Sequence, residues 1–303
     1  MTNKICVKTP ATTANMGPGF DCLGMALDIW NTLVVTNGEG SISVAGKGSE
    51  ELPWDSNNLV CRSFNQFFVE VDLPIPLVDF ECHNEIPLAR GMGSSSAALV
   101  SGLLAANKYS GGILNNEDLL KIAADMEGHV DNVAAAMYGG LQIGVYDSED
   151  IVTASVPVPE DISVVIYVPD VPMPTDKSRE VLTPDVSREA AVYNIGRSAL
   201  LVQCMATGNF ENLRVATQDR LHQPDRQQIF FPMKNIIKAA IDSGALGAYL
   251  SGAGSSILAL CVDREYTIGY EMADAAMKSG LNGEIIVTKP SLSGAYFQYL
   301  DSE

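Results

Sequence analysis

The chain has 303 residues, 47% of them apolar and 18% charged, a composition that folds and a length that accommodates two domains. Nineteen basic against 37 acidic residues leave a net charge of −18, which argues against nucleic acid or an anionic membrane surface as partner. No apolar run is long enough to cross a bilayer, no N-terminal stretch reads as a signal peptide, and six scattered cysteines with three histidines give no zinc spacing, so the thiols are expected to be reduced and the protein cytoplasmic.

In chain order, residues 5–8 start a strand, 33–35 and 41–44 are two more between Gly-rich turns, and 58–69 has helical spacing. Residues 77–82 alternate, with Val78, Phe80 and Cys82 against Asp79 and Glu81, which predicts a half-exposed antiparallel strand. Helices follow over 94–108, from Asn116 to Gly128 and from Asp131 to Gly139, and then an alternating strand at Leu141, Ile143 and Val145. The acidic segment 147–150, with Pro157 and Pro159 beyond it, is the best place to divide the chain. The second half reads as a strand (163–168), a Pro-rich loop, helices (187–208, 211–221, 232–243), strands (248–250, 257–262), a helix (266–279) and a strand (284–288). Stripped of its inserted helices, that is the β-α-β-β-α-β order of a ferredoxin-like fold, and both halves are α+β.

The stretch Pro87-Leu88-Ala89-Arg90-Gly91-Met92-Gly93-Ser94-Ser95-Ser96-Ala97-Ala98 carries the most chemistry. Glycines let the backbone turn tightly and approach a ligand. The first turn of the helix that follows offers unpaired N–H groups and the positive end of its dipole to an anion. Ser94, Ser95 and Ser96 add hydroxyls that can donate to phosphate oxygens or ligate Mg2+. Taken alone, the stretch fits a polyphosphate pocket and a Gly-Ser turn capping a buried helix equally well. Commoner nucleotide signatures do not fit: there is no G-x-x-x-x-G-K-[ST], and Ser96 stands where a dinucleotide turn needs its third glycine.

Two further segments share this character, the N-terminal block from Pro10 to Gly24 (PATTANMGPGFDCLG) and the glycine loop from Leu250 to Ser256 (LSGAGSS). In type and order the three resemble the motifs of the GHMP small-molecule kinases, whose central motif has the form P-x-x-x-G-L-G-S-S-A-A. Met92 stands for its Leu, and Ser255 for a frequent Pro in the third motif. The resemblance implies a two-domain α+β fold, with a ribosomal-protein-S5-like, ATP-binding domain over residues 1–155 and a ferredoxin-like domain over 156–303. Within the family it points to the branch whose acceptor is L-homoserine, on three grounds. Asn15 and Asp21 stand at that branch's substrate positions, EGHVDNVA from Glu127 to Ala134 is similar to its E-G-H-P-D-N-V-A, and HQPDR from His222 to Arg226 is similar to its H-Q-P-Y-R.

What the resemblance implies is phosphorylation of the side-chain hydroxyl of L-homoserine by ATP, with Mg2+, in threonine biosynthesis, by a homodimer. The implied ATP site takes in Pro87, Leu88, Ala89, Arg90, Gly91, Met92, Gly93, Ser94, Ser95, Ser96 and Ala97, with Asn58 at the adenine and Ser251, Gly252, Ala253 and Gly254 in the C-terminal loop. Ser95 and Glu127 would hold the metal. Asn15, Asp21, His129, Asn132, Thr175, Arg179 and Arg226 would bind the acceptor, the two arginines on its carboxylate and Asp21 at its ammonium or hydroxyl end. The catalytic set is Glu127, Ser95, Asp21 and Asn132. Two routes for the hydroxyl proton stay open, to Asp21 or directly to the phosphate.

The residues themselves leave alternatives. A carboxylate at a helix end is disfavoured by the dipole, so Glu127 makes better sense as a metal ligand than as a surface charge. Arginine grips a carboxylate with a two-pronged fork. Arg179, beside Lys177 and Glu180, also fits a surface pair, and Arg226 a solvated helix residue; His222 reads as structural. Competing readings are another acceptor of the same family (mevalonate, shikimate or a sugar), a catalytically silent binding protein, and a dinucleotide-dependent oxidoreductase built on Gly91 and Gly93.

Overall fold

The computed structural model describes residues 4–298. β1 (Ile5–Ala14) turns through residues 15–22 into the long β2 (Leu23–Asn37), and the two pair antiparallel from Ile5 opposite Val35 to Ala14 opposite Gly24. The pattern predicts strand only over residues 5–8 because the remainder of β1 is rich in threonine. Thr9, Thr12 and Thr13 are fully buried, and each hydroxyl is paired: with Ser101 at 2.8 Å, Asn132 at 2.7 Å and Ser251 at 2.8 Å, respectively. A strand covered on both faces shows no polar alternation to read.

β3 (Ile42–Gly46), α1 (Leu59–Glu70) and β4 (Val78–Asn84) follow. β4 is antiparallel to the C-terminal half of β2 but parallel to β3, so the strand expected there is antiparallel on one edge only. Its alternation is as expected, with Val78, Phe80 and Cys82 buried and Phe80 edge-on to Phe64 of α1. α2 (Ser94–Tyr109), α3 (Asn116–Glu127) and α4 (Asp131–Tyr138) come next, α2 and α4 packing on β1 and β2. β5 (Leu141–Asp147) pairs with the first residues of β2, and the acidic segment 147–150 is the tip of a hairpin joining it to β6 (Asp150–Val156), which belongs to the same sheet.

The second half comprises β7 (Ser163–Pro169), α5 (Thr175–Glu180), α6 (Arg188–Thr207), α7 (Leu213–Ala216), α8 (Gln223–Arg226), α9 (Met233–Asp242), β8 (Gly247–Leu250), β9 (Ile257–Cys261), α10 (Glu265–Lys278) and β10 (Gly283–Thr288). Its sheet runs β10-β7-β9-β8 with all neighbours antiparallel, the ferredoxin-like arrangement. The helix expected over 211–221 is a single turn, α7. The Asp219 carboxylate takes the N–H groups of Leu221, His222 and Gln223 and turns the chain into α8. The Pro-rich loop contains α5. After β10 the chain crosses back, and β11 (Tyr296–Gln298), which the sequence pattern leaves unassigned, pairs antiparallel with β1.

One hydrophobic cluster joins the halves: Met16, Leu23, Met92 and Ala97 pack with Val164, Ile166, Tyr249 and Leu258. The Gly-Ser stretch therefore lies in a seam between the two sheets. All six cysteines are unpaired; burial pushes the Cys61 thiol up to about 12 and that of Cys82 to about 11, far from thiolate formation at neutral pH. Among the described residues no helix is long and apolar enough to cross a membrane.

Candidate active site

A cavity of about 500 Å³ opens along the seam, with Pro87 to Ser95 in its wall. Two chemically distinct groups stand out in the rest of the lining. Leu33, Leu52, Asn58, Val60 and Cys82 form a largely apolar one; Asn15, Asp21, His129, Asn132, Thr175, Arg179 and Arg226 form a charged one.

The backbone of the Gly-Ser stretch has its acceptors tied and its donors free. Five successive carbonyls are occupied: Leu88 O by Arg90 Nη1 (2.8 Å), Ala89 O by Met173 N (2.9 Å), Arg90 O by Ser256 N (3.1 Å), Gly91 O by the Ser251 hydroxyl (2.6 Å) and Met92 O by Thr12 N (3.1 Å). Among the described residues, no backbone N–H from residues 88–96 donates to a protein acceptor. A run of unpaired N–H groups entering a helix N-terminus is an anion cradle. Gly91 and Gly93 make it possible. Both have left-handed φ (70° and 69°), and a Cβ would sit 2.0 Å from Ser251 O at the first and 1.8 Å from Thr12 Oγ1 at the second.

Glu127 closes α3 beside this loop. Its Oε1 accepts the Ser95 hydroxyl at 2.5 Å and the Ser96 hydroxyl at 3.0 Å. Hydroxyl and carboxylate oxygens are the hard donors that Mg2+ takes in small number, completing its shell with water and substrate phosphate. His129 Nδ1 lies 2.8 Å from Asp131 Oδ1, and its Nε2 lies 3.8 Å from Glu127 Oε1. Burial alone would lower the His129 pKa, but the hydrogen bond and charge of Asp131, with the charge of Glu127, outweigh it and hold it above the ordinary value. Asp131 Oδ1 also accepts the Asn132 N–H at 2.7 Å, and Asn132 Oδ1 accepts the Thr12 hydroxyl at 2.7 Å.

The turn between β1 and β2 is built on left-handed residues, Asn15, Met16 and Asp21 having φ of 65°, 46° and 53°. Asn15 braces it: Oδ1 accepts the Asp21 N–H at 2.9 Å, and Nδ2 donates to Gly252 O at 2.9 Å, tying the turn to the C-terminal loop. Arg179 of α5 meets the Asp21 carboxylate with both prongs, at 2.7 and 3.0 Å, and that bond holds its pKa above the ordinary value. Arg226 is 1% exposed; it donates to His222 Nδ1 (2.9 Å), Gly252 O (3.0 Å) and Ser178 O (3.3 Å). Burial, then the neighbouring Arg179, bring its pKa down to about 10. His222 is neutral in this arrangement, Nε2 donating to Gly17 O at 2.8 Å while Nδ1 accepts, and burial lowers its pKa accordingly.

A GHMP kinases N-terminal domain model matches residues 58–140, and a GHMP kinases C-terminal model matches 201–275. Homoserine kinase from Desulfitobacterium hafniense is 40% identical over 291 residues, covering 95% of this chain and 98% of that one. The chain belongs to the GHMP kinase family. This GHMP kinase is also 39% identical to homoserine kinase from Caldicellulosiruptor bescii, over 96% of each chain. The crystal structure of homoserine kinase from Cytophaga hutchinsonii superposes on it with a TM-score of 0.88 at 28% identity, covering 98% of both chains.

Most residues singled out in this GHMP kinase from sequence line the one cavity; Ser96, Ala97, Ser251 and Gly254 do not. Ser96 turns its hydroxyl to Glu127, Ala97 is packed in the core, Ser251 holds Gly91 O and the Thr13 hydroxyl, and Gly254 lies against Met173 and Leu250. Asn58 borders the cavity while its side chain caps α1, accepting from Val60 N at 3.1 Å. The two arginines are not free forks: Arg179 is engaged by Asp21 and Arg226 by the loop and His222, because unpaired charges in a half-buried site are costly. Neither is a surface pair or a solvated residue. Thr12, Asp131 and Asp219 are the residues that sequence reasoning missed. Asp131 lay within the EGHVDNVA segment, so its signal was there to be used.

Proposed function

We propose that this kinase transfers the γ-phosphoryl group of MgATP to the side-chain hydroxyl of L-homoserine, giving O-phospho-L-homoserine and ADP. One observation carries the reading. A single cavity joins a run of unpaired backbone N–H groups, suited to a polyphosphate, to an Asp21–Arg179 pair whose charges match the ammonium and carboxylate of a free amino acid. Relatives named homoserine kinase, matching over nearly the whole chain, support that acceptor.

Phosphoryl transfer asks a protein mainly to position its substrates and to stabilise charge. The N–H groups leading into α2, with Ser94 and Ser95, hold the phosphates, and the apolar wall around Leu52, Val60 and Cys82 takes the nucleoside beside Asn58. Ser95 and Glu127 would hold Mg2+, which when bound neutralises phosphate charge. Arg179 and Arg226 bind the acceptor carboxylate, Asp21 its ammonium, and Asn15, His129, Asn132 and Thr175 orient the rest. The reading divides the chain after residue 155, one residue before β6 ends at Val156.

The test is ADP release with MgATP against L-homoserine, mevalonate, shikimate and galactose, with the product identified by phosphorus NMR. Release with L-homoserine alone is expected. Activity only with another alcohol overturns the acceptor, and release with none overturns the kinase reading.

A further inference from the structure

Arg90 stands in the middle of the phosphate stretch, yet its guanidinium is committed to carbonyl oxygens. Nε donates to Pro169 O at 2.7 Å, Nη2 to Asp170 O at 2.5 Å and Nη1 to Leu88 O at 2.8 Å. Pro169 ends β7, and residues 170–174 form the arm that leads into α5, which carries Thr175 and Arg179. Two more bonds lace the same seam: Met173 N to Ala89 O at 2.9 Å, and the Ser255 hydroxyl to Val171 O at 2.6 Å. A guanidinium presents its donors in a fixed plane and so can hold two strands of backbone at one spacing; an ammonium on a flexible stem cannot. Burial draws the Arg90 pKa below its ordinary value, against the pull of Glu51 and Asp170, and the group stays charged at neutral pH.

We propose that Arg90 is a positioning residue, its guanidinium fixing the arm that bears Thr175 and Arg179 against the phosphate loop and so setting the distance from acceptor hydroxyl to phosphoryl group. This rests on the kinase reading above, since it is transfer between two substrates that needs the loops in register. Its place in the motif alone would make Arg90 a phosphate ligand. The three carbonyls that already occupy its donors favour the staple, and misplacement of about 1 Å between reacting groups is enough to matter.

The experiment compares wild type, Arg90→Lys and Arg90→Gln in the full chain. Expected for both variants is a fall of about tenfold or more in kcat/KM for L-homoserine, with ADP affinity by calorimetry changed by less than about twofold. Hydrogen exchange should quicken over residues 170–180 and stay unchanged in α2. Lysine, which restores the charge but not the fork, should give no rescue. Weakened ADP binding with an unchanged L-homoserine KM would make Arg90 a phosphate ligand and overturn the proposal. So would an Arg90→Lys enzyme equal to wild type in KM, kcat and exchange. Exchange and ADP binding are read without acceptor, so they decide the staple even if wild type fails to phosphorylate L-homoserine, a failure that would fall on the functional reading alone. If Arg90→Gln does not fold, Arg90→Lys carries the same readouts.

Discussion

Arg179 and Asp21 neutralise each other across the cavity, in a two-pronged ion pair with N–O distances of 2.7 and 3.0 Å and both side chains about one-third exposed. A ligand bearing both an ammonium and a carboxylate can exchange that one pair for two. A ligand with a carboxylate only takes Arg179 and leaves Asp21 without a partner, which costs free energy in a partly buried site. In the proposed function the pair would therefore act as a filter for amino acids over hydroxy acids.

Asp21→Asn should weaken that filter. The ratio of kcat/KM for L-homoserine over 4-hydroxybutanoate, the same molecule without its amino group, should shrink by about tenfold or more, as expected for one charge-assisted contact. The change should come from both sides, L-homoserine losing its ammonium partner and 4-hydroxybutanoate meeting an unclaimed Arg179. A ratio that does not move would remove Asp21 from acceptor recognition.

Glu127 accepts two hydroxyls on one oxygen, from Ser95 and Ser96, at the edge of the run of unpaired N–H groups that enters α2. Glu127→Gln keeps the shape and removes the charge. It should lower kcat by about a hundredfold or more and move the Mg2+ titration of activity to higher concentration, with little change in melting temperature. Retention of the wild-type Mg2+ dependence would sink the metal assignment.

The resemblance makes Arg226 a ligand contact whose loss raises mainly the L-homoserine KM. Its burial changes that expectation. Arg226→Gln leaves Ser178 O and His222 Nδ1 without their donor, at about 1–3 kcal/mol for each orphaned group, and leaves Gly252 O with Asn15 Nδ2 alone. Melting temperature should fall together with the rise in KM. A raised KM at unchanged melting temperature would show that Arg226 serves the ligand and not the loop.

Where side chains follow a period or a motif, the sequence announced them; where they act through tertiary partners, it did not. Glycines at 91 and 93 and the helix from Ser94 are legible because each residue type has a local physical job there, whereas the Glu127–Asn132 block is legible through its resemblance to the family's segment. The helix expected over 211–221 stops short of Asp219, whose carboxylate collects three backbone N–H groups that a continuing helix would direct to carbonyls. The strand pattern of β1 breaks off after residue 8 because its buried threonines look polar without their partners, which lie far along the chain. The pairing of Arg179 with Asp21, distant in sequence, could not be read from either motif. The same holds for the apolar wall at Leu33, Leu52 and Cys82, whose residues belong to three segments with no shared spacing.

His129 supplies a pH test with a defined sign. Asp131 and Glu127 together overcome burial and hold its pKa above the ordinary imidazole value of about 6.5, so the folded protein binds this proton more tightly than the unfolded chain does. The resulting stabilisation is fully present below about pH 6.5 and is lost as pH rises through the raised folded value. His129→Gln should therefore destabilise the protein more at about pH 5 than at about pH 9, in urea denaturation run at both. Asp131→Asn removes the hydrogen-bonded charge that opposes burial, and the His129 pKa should then fall in an NMR titration. Equal penalties for His129→Gln at the two pH values would mean an imidazole that is neutral throughout, held by Asp131 as a hydrogen-bond acceptor and not as a counter-ion.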